Sequence, residues 1–180
     1  APFKDLVNRD MFINAKCVFA QSQIQAETIR KNLKINNVIN LGMSLWTDSQ
    51  LEIITSCVDN PKQPDAAIVN SKNPTKNTQE TIRFCEEFSI PHTLIGSPDY
   101  AEFIDQLSRH ETYVFIPRVL ESFNRVLLEA RMLNCKIKTT NLNGCTSESW
   151  FKKYKGKELI EFVRQQRETV YNKIKNGVLD

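Results

Sequence analysis

The sequence predicts an α/β protein built on a parallel sheet with helices on both faces. Short apolar segments alternate with segments whose apolar residues recur at helical spacing, and the links between them are short. Strand–helix–strand repeats of this kind form parallel sheets through right-handed crossovers. With 41% hydrophobic and 25% charged residues among 180, the chain is long and apolar enough for a globular core.

The first part of the chain predicts one strand–helix–strand unit. The expected elements are a strand at residues 17–20, a helix at 22–33 and a strand at 37–41. The segment that follows, residues 44–65, has no clear periodicity and ends in a polar stretch, 59–65, that contains two prolines. Because such stretches often separate domains, we predict one domain end with a linker at residues 1–60 and a second domain at 61–180.

The second part alternates more regularly. We expect strands at residues 66–69, 93–95, 113–116 and 136–139, with helices at 77–88, 100–108 and 123–133. A last helical pattern spans residues 157–175, and its apolar positions indicate packing on a domain. Its excess of lysine and arginine makes weak association with a membrane surface the alternative.

Charge and cysteine content exclude several classes of protein. The net charge of +3 is small and dispersed, which argues against nucleic acid as a partner. The five cysteines lie far apart without metal-binding spacing, so we expect reduced thiols in a cytoplasmic protein and no metal site. The longest apolar runs are too short to cross a bilayer.

The loops that follow the predicted strands are the places to look for a ligand site, because ligands of open α/β sheets bind beyond the carboxyl ends of the strands. Three such loops, residues 70–77, 117–124 and 141–146, carry lysines, an arginine and a carboxylate around a helix start. Lysines and a helix N-terminus suit a diphosphate, and carboxylates accept hydrogen bonds from sugar hydroxyls. Neither a Walker sequence nor a dinucleotide-binding fingerprint is present.

The segment of residues 121–130, which reads ESFNRVLLEA, follows a predicted strand that ends in Pro117. It resembles the two-glutamate motif of retaining GT-B glycosyltransferases (glycosyl transferases group 1, family 4-like). Residues 136–144 resemble the next strand and turn of that family, and residues 14–22 resemble the last strand and helix of its acceptor-side domain. The resemblance implies that residues 61–180 form the Rossmann-like GT-B C-terminal domain, which binds the nucleotide sugar.

The same resemblance implies roles for individual residues. Glu121 would contact the transferred sugar, and Glu129 would hold the ribose hydroxyls. Lys76 would neutralise the leaving diphosphate, which the backbone of Ser122, Phe123 and Asn124 would also meet.

The chain departs from the family pattern at three positions. Ser71 occupies the position of a family arginine, so Lys72 or Arg118 would have to supply the missing charge. Asn124 stands where the aromatic turn normally ends in glycine, and Arg125 replaces an apolar residue. These departures predict a divergent member of the family.

We therefore expect a retaining hexosyltransferase of polysaccharide biosynthesis that moves a sugar from a nucleotide diphosphate to a glycan or lipid acceptor. Stabilisation of the leaving group by lysine and helix N–H groups requires neither a metal nor a cofactor. Since most of an acceptor-side domain is missing, this chain alone should bind donor and transfer little. The alternatives are a non-catalytic interaction module of the same fold, which the Ser71 and Asn124 departures favour, and a sugar-nucleotide epimerase.

Overall fold

The computed structural model describes residues 8–179, so residues 1–7 and 180, at the outer ends of the two predicted domains, lie outside the described part of the chain. In chain order the elements are α1 Arg9–Asn14, β1 Val18–Ala20, α2 Gln23–Leu33, β2 Val38–Asn40, α3 Asp48–Cys57, β3 Gln63–Val69, α4 Thr78–Glu87, β4 His92–Ile95, α5 Tyr100–Ser108, β5 His110–Phe115, α6 Arg125–Met132, β6 Lys136–Thr139 and α7 Gly156–Leu179. Among these residues, no helix is both long and apolar enough to cross a membrane.

The larger sheet has four parallel strands in the order β4-β3-β5-β6. Successive residues of a strand face opposite sides, and the core divides accordingly. Ala66, Ile68 and Val114 pack with Cys85 of α4 on one side. The neighbouring positions Ala67, Tyr113 and Phe115 face the main core with α5 and α6 on the other. The predicted parallel sheet with helices on both faces is confirmed.

The chain reverses its direction of winding at β3. From β3 it crosses through α4 to β4 on one side, and then returns through α5 to β5 on the other side of β3. The loops that leave β3 and β5 therefore diverge from adjacent strand ends, and an open crevice forms between them. This switch point is where an α/β sheet binds its ligand.

The smaller sheet consists of β1 and β2, which pair in parallel around α2 as the sequence predicts. The hydroxyl of Ser22, before α2, donates to the carbonyl of Ser122 at 2.6 Å. The carboxylate of Glu148 accepts from the amide of Gln23 at 2.6 Å, which supplies an acceptor at the start of α2. At its far end α7 reaches the smaller sheet, since Lys173 Nζ donates to the carbonyl of Asn40 at 3.0 Å.

Residues 44–65 are more ordered than their pattern indicated. A capping box between Thr47 and Gln50 starts α3. Gln63, Pro64 and Asp65 of the polar stretch belong to β3, so this strand begins three residues before the predicted one. The strand tolerates Pro64 because its register with β5 shifts between Gln63 and Ala66, so no regular ladder bond is required there.

Gly144 allows the closest backbone approach at the carboxyl end of the sheet. Its amide donates to the carbonyl of Glu121 at 2.8 Å. A Cβ on Gly144 would lie 1.9 Å from the carbonyl oxygen of Ser122 and 2.4 Å from Ser22 Oγ. The backbone must therefore shift to accept any side chain.

We predict that Gly144→Ala lowers the free energy of unfolding by at least about 2 kcal/mol, because it forces this overlap. Denaturant-induced unfolding measures the change. Gly96→Ala is the matched control, since its Cβ would meet only Asn70 atoms at 3.8 and 3.9 Å. Equal stability of the two variants would contradict the prediction.

Candidate functional site

The turn after β3 positions Lys76 at the switch point. Asn73 caps the 3₁₀ turn Pro74–Lys76 by accepting from the amide of Thr75. Asn77 follows in the left-handed region at φ 54°, a conformation that asparagine tolerates. Its side-chain amide donates to the carbonyl of Ile116 at 3.0 Å, which ties this turn to the end of β5.

Glu121 is held in the loop after β5 by backbone pairing with the loop after β6. Its amide donates to Leu142 O at 2.9 Å, and its carbonyl accepts from Gly144. Its carboxylate Oε2 lies 2.9 Å from Lys76 Nζ, with side-chain exposures of 20% and 38% respectively. The two predicted catalytic side chains, 45 positions apart in sequence, thus form an ion pair.

The segment that starts α6 presents a run of backbone donors without acceptors. Within residues 8–179, none of the amide N–H groups of residues 122–126 makes a hydrogen bond. The next amide, that of Leu127, is satisfied by the side chain of Asn124 at 2.9 Å. Orphan N–H groups at a helix start attract anions. A cavity of about 90 Å³ beside them is lined by Ser71, Lys76, Asn124 and Val126, among others.

Glu129 is a buried carboxylate next to this cavity, on α6. Its Oε1 accepts from Trp46 Nε1 at 2.8 Å and from the Tyr100 hydroxyl at 2.9 Å. Burial raises the pKa of Glu129, although the hydrogen bonds from Trp46 and Tyr100 and the nearby charge of Arg125 act in the opposite direction. Burial and the neighbouring carboxylate likewise raise the pKa of Tyr100.

An open cavity of about 420 Å³ adjoins Glu129. Its wall also includes Ser97 and Pro98 after β4, and Tyr100 and Phe103 of α5. Because Val69 and Val126 line both this cavity and the smaller one, the two spaces are neighbours across the switch point. Apolar and aromatic walls with a few polar groups are typical of ligand sites of this size.

The departures at Asn124 and Arg125 have structural explanations. Asn124 is the N-cap of α6, so its side chain performs a task that glycine cannot. The Arg125 guanidinium lies 4.7 Å from the centre of the Trp46 ring and donates to Gln50 Oε1 at 3.3 Å. Its Nη2 is also 3.9 Å from Glu129 Oε1, so Arg125 places positive charge beside the buried carboxylate.

The predicted site residues differ in whether they line the crevice. Ser71 lines the small cavity, whereas Lys72 and Arg118 are exposed and form no ion pair within residues 8–179. The ring of Phe123 is buried in the core, and Phe123 lines neither cavity. Trp46 and Tyr100 were missed, because nothing in their local sequence shows that they meet Glu129.

Within residues 8–179, no cluster of three or more His, Cys, Asp or Glu could hold a metal ion.

Comparison with known proteins finds similarity in structure. No protein-family model and no curated protein matches the sequence. Sucrose-phosphate synthase from Thermosynechococcus elongatus superposes with a TM-score of 0.60 at 13% identity, covering 97% of this chain and 60% of that one. The S. aureus TarM structure, in complex with fondaparinux, α-GlcNAc-glycerol and UDP, superposes with a TM-score of 0.51 at 12% identity, covering 96% and 45% respectively.

The fold is that of the GT-B glycosyltransferases. At these identities the similarity shows the fold alone. This chain spans 60% and 45% of the two matched chains, so it corresponds to only part of the length of either. The resemblance inferred from residues 121–130 is thereby confirmed for the GT-B fold, and the retaining, family 4-like assignment stays a prediction.

We predict that Glu129→Gln changes how stability depends on pH. The raised native pKa of Glu129 means that its contribution to stability is complete below the unfolded-state pKa and is lost as pH rises through the native pKa. Glutamine stays neutral and retains an oxygen that can accept from Trp46 and Tyr100. At neutral pH the free energy of unfolding of Glu129→Gln should therefore exceed that of the wild type by about 1.4 kcal/mol for each unit by which the native pKa of Glu129 is raised. Near pH 4 the two proteins should differ little in stability.

Thermal unfolding of the wild type and Glu129→Gln between pH 4 and 8 measures this difference. A constant offset between the two curves over that range would contradict a buried, destabilising carboxylate.

Proposed function

We propose that the chain binds a nucleotide diphosphate sugar at the switch point, as the donor-binding part of a retaining, family 4-like hexosyltransferase. In this assignment residues 61–180 are the donor domain, and residues 1–60 are the end of the acceptor-side domain with its linker. One observation carries the proposal: Lys76 lines one cavity with Asn124 and Val126, in the segment of amides that find no acceptor within residues 8–179. Glu129, a buried carboxylate, lines the adjoining cavity.

Each part of the donor has a chemically matching surface. The diphosphate fits Lys76 and the amides of residues 122–126, which together supply positive charge and backbone donors. The ribose hydroxyls fit Glu129, and the nucleobase fits the open cavity beside Tyr100 and Phe103. The transferred sugar then lies at Glu121, whose carboxylate accepts from sugar hydroxyls.

The chemistry of transfer requires stabilisation of an oxocarbenium-like centre and of a departing diphosphate. Lys76 and the helix N–H groups would stabilise the charge that develops on the leaving group, with no metal required. In the structure Lys76 Nζ is paired with Glu121 Oε2 at 2.9 Å. An incoming diphosphate would therefore compete with Glu121 for Lys76, and this exchange would release the carboxylate to the sugar.

In this proposal, most of the acceptor-side domain is not part of this chain. A glycan or lipid acceptor, in polysaccharide biosynthesis in the cytoplasm, fits a GT-B enzyme. The basic residues of α7 would allow weak association with a membrane surface. Without the rest of an acceptor-side domain, the chain would bind donor and transfer little.

A non-catalytic module of the same fold is the second candidate. It is favoured by Ser71, which leaves the crevice with one fewer fixed positive charge than the family pattern, and by the Lys76–Glu121 pair, which lowers the charge available to a phosphate. Donor binding and donor hydrolysis distinguish the two candidates. A degenerate site would do neither.

A thermal-shift panel of UDP, GDP, ADP and dTDP, each with its glucose conjugate, tests the proposal. UDP is the first probe because the similar TarM structure contains it. A ligand at 100 times its dissociation constant should stabilise the native state by about 2.7 kcal/mol. If no member of the panel raises the melting temperature at millimolar concentration, the proposed donor site is wrong.

We predict that Lys76→Ala weakens binding of the selected nucleoside diphosphate roughly 10- to 100-fold, as the loss of a charge-assisted hydrogen bond would. The free energy of unfolding should change by less than about 0.5 kcal/mol, because a partly exposed ion pair contributes little. Isothermal titration and denaturant unfolding measure the two effects. Adding Ser71→Arg to the Lys76→Ala variant should recover part of the affinity.

Lys152→Ala is the control, since it removes the same charge from an exposed side chain that lines neither of the two cavities. Should Lys152→Ala weaken binding as much as Lys76→Ala does, the effect is that of overall charge and Lys76 has no specific role.

A further inference from the structure

The two hydrogen bonds to Glu129 end on the same oxygen. Trp46 Nε1 lies 2.8 Å from Oε1 and the Tyr100 hydroxyl lies 2.9 Å from it. No residue among 8–179 donates a hydrogen bond to Oε2. The carboxylate is thus asymmetric, with one oxygen engaged by the protein and the other left available.

The available oxygen belongs to a side chain that lines the open cavity of about 420 Å³. A carboxylate oxygen accepts about two hydrogen bonds, so Oε1 is satisfied by Trp46 and Tyr100. Oε2 can accept hydrogen bonds from one or two ligand hydroxyls. A buried acceptor with a fixed orientation discriminates strongly against ligands that lack the matching hydroxyl, because it is then left unpaired.

We propose that Trp46 and Tyr100 are positioning residues for Glu129, which engage Oε1 so that Oε2 is presented to the vicinal ribose hydroxyls of the nucleotide. The proposal rests on the proposed donor site and assigns how it recognises ribose. Trp46 comes from the segment between β2 and α3, 83 positions before Glu129, and Tyr100 from the first turn of α5. The linker between the two predicted domains thereby takes part in donor recognition.

The charged surroundings help to fix the position of the Glu129 carboxylate. Arg125 of α6 lies 3.9 Å from Oε1 and stacks on Trp46, so Trp46 orients the cation as well as the anion. Tyr113 of β5 is a further titratable neighbour, and burial together with the charge of Glu129 raises its pKa. The hydrogen bonds from Trp46 and Tyr100 and the Arg125 charge act together against the effect of burial on the pKa of Glu129.

A structural role in the core is the competing explanation for Trp46, because only 3% of the residue is exposed. Loss of stability in a variant would not separate the two explanations. Discrimination between ribose and dideoxyribose nucleotides separates the two explanations, because a general packing defect weakens the binding of both ligands equally.

The test measures the ratio of the dissociation constants of 2′,3′-dideoxy-UDP and UDP by isothermal titration. Five variants are compared with the wild type: Trp46→Phe, Tyr100→Phe, Glu129→Gln and the two controls Trp150→Phe and Tyr154→Phe. Trp150 is a suitable control because its indole N–H donates to the carbonyl of Gly42 at 3.1 Å instead of to Glu129. Tyr154→Phe serves the same purpose for Tyr100→Phe.

We expect a ratio of about 10 to 100 in the wild type and in both control variants, as one or two hydrogen bonds to a charged group would give. The ratio should fall to about 1 in Glu129→Gln, and at least threefold in Trp46→Phe and in Tyr100→Phe. Loss of the ratio in Glu129→Gln with full retention in Trp46→Phe and Tyr100→Phe would overturn the positioning role and leave the donor site intact. A ratio near 1 in the wild type, or no effect of Glu129→Gln, would remove Glu129 from ribose binding and overturn this proposal. Failure of UDP itself to bind would instead overturn the proposed donor site.

Discussion

The parallel pairing of β3 with β5 is the constraint on which the candidate site depends. Because β4 lies on the other side of β3, the loops after β3 and β5 leave adjacent strand ends in different directions. Lys76 and Glu121 meet at 2.9 Å only because these two strands are neighbours. The pairing is itself set by burial, since Ala66 and Ala67 of β3 lie against the aliphatic and aromatic side chains of β5 in the core.

Several features at this edge of the sheet reduce stability and suit ligand binding. Within residues 8–179 the amides of residues 122–126 find no acceptor, and Glu129 places an ionisable group where burial raises its pKa. Proteins rarely retain such unsatisfied or buried polar groups unless a ligand or a catalytic task uses them. Their concentration around one crevice of a GT-B fold is the physical basis for assigning a donor site to it.

Much of the fold could be predicted from the sequence, because its elements have local signals. Helix α5 and strand β6 have the predicted bounds, since each is flanked by polar or turn-forming residues. Strand β5 begins earlier than predicted, at His110, because a buried contact with Asp65 at 2.6 Å makes a polar residue part of the strand. That partner lies 45 positions away, so no local pattern could indicate it.

Only part of the candidate site could be predicted from the sequence, because its remaining contacts also join residues that are far apart along the chain. Lys76, Glu121 and Glu129 follow from the order of strands and from the resemblance of residues 121–130 to a known motif. Trp46 lies in a segment without periodicity, and Tyr100 is an ordinary amphipathic position of α5. Their contact with Glu129 arises from tertiary packing over 83 and 29 positions, which only the structure shows.

A structure of this chain with a bound nucleoside diphosphate would locate the donor site directly. We expect a ribose hydroxyl at hydrogen-bond distance, roughly 2.6–3.2 Å, from Glu129 Oε2. We also expect a phosphate oxygen in contact with Lys76 Nζ and with the amides of residues 122–126. A nucleotide bound elsewhere, with the Lys76–Glu121 pair intact and the cavity beside Glu129 empty, would contradict the proposed donor site.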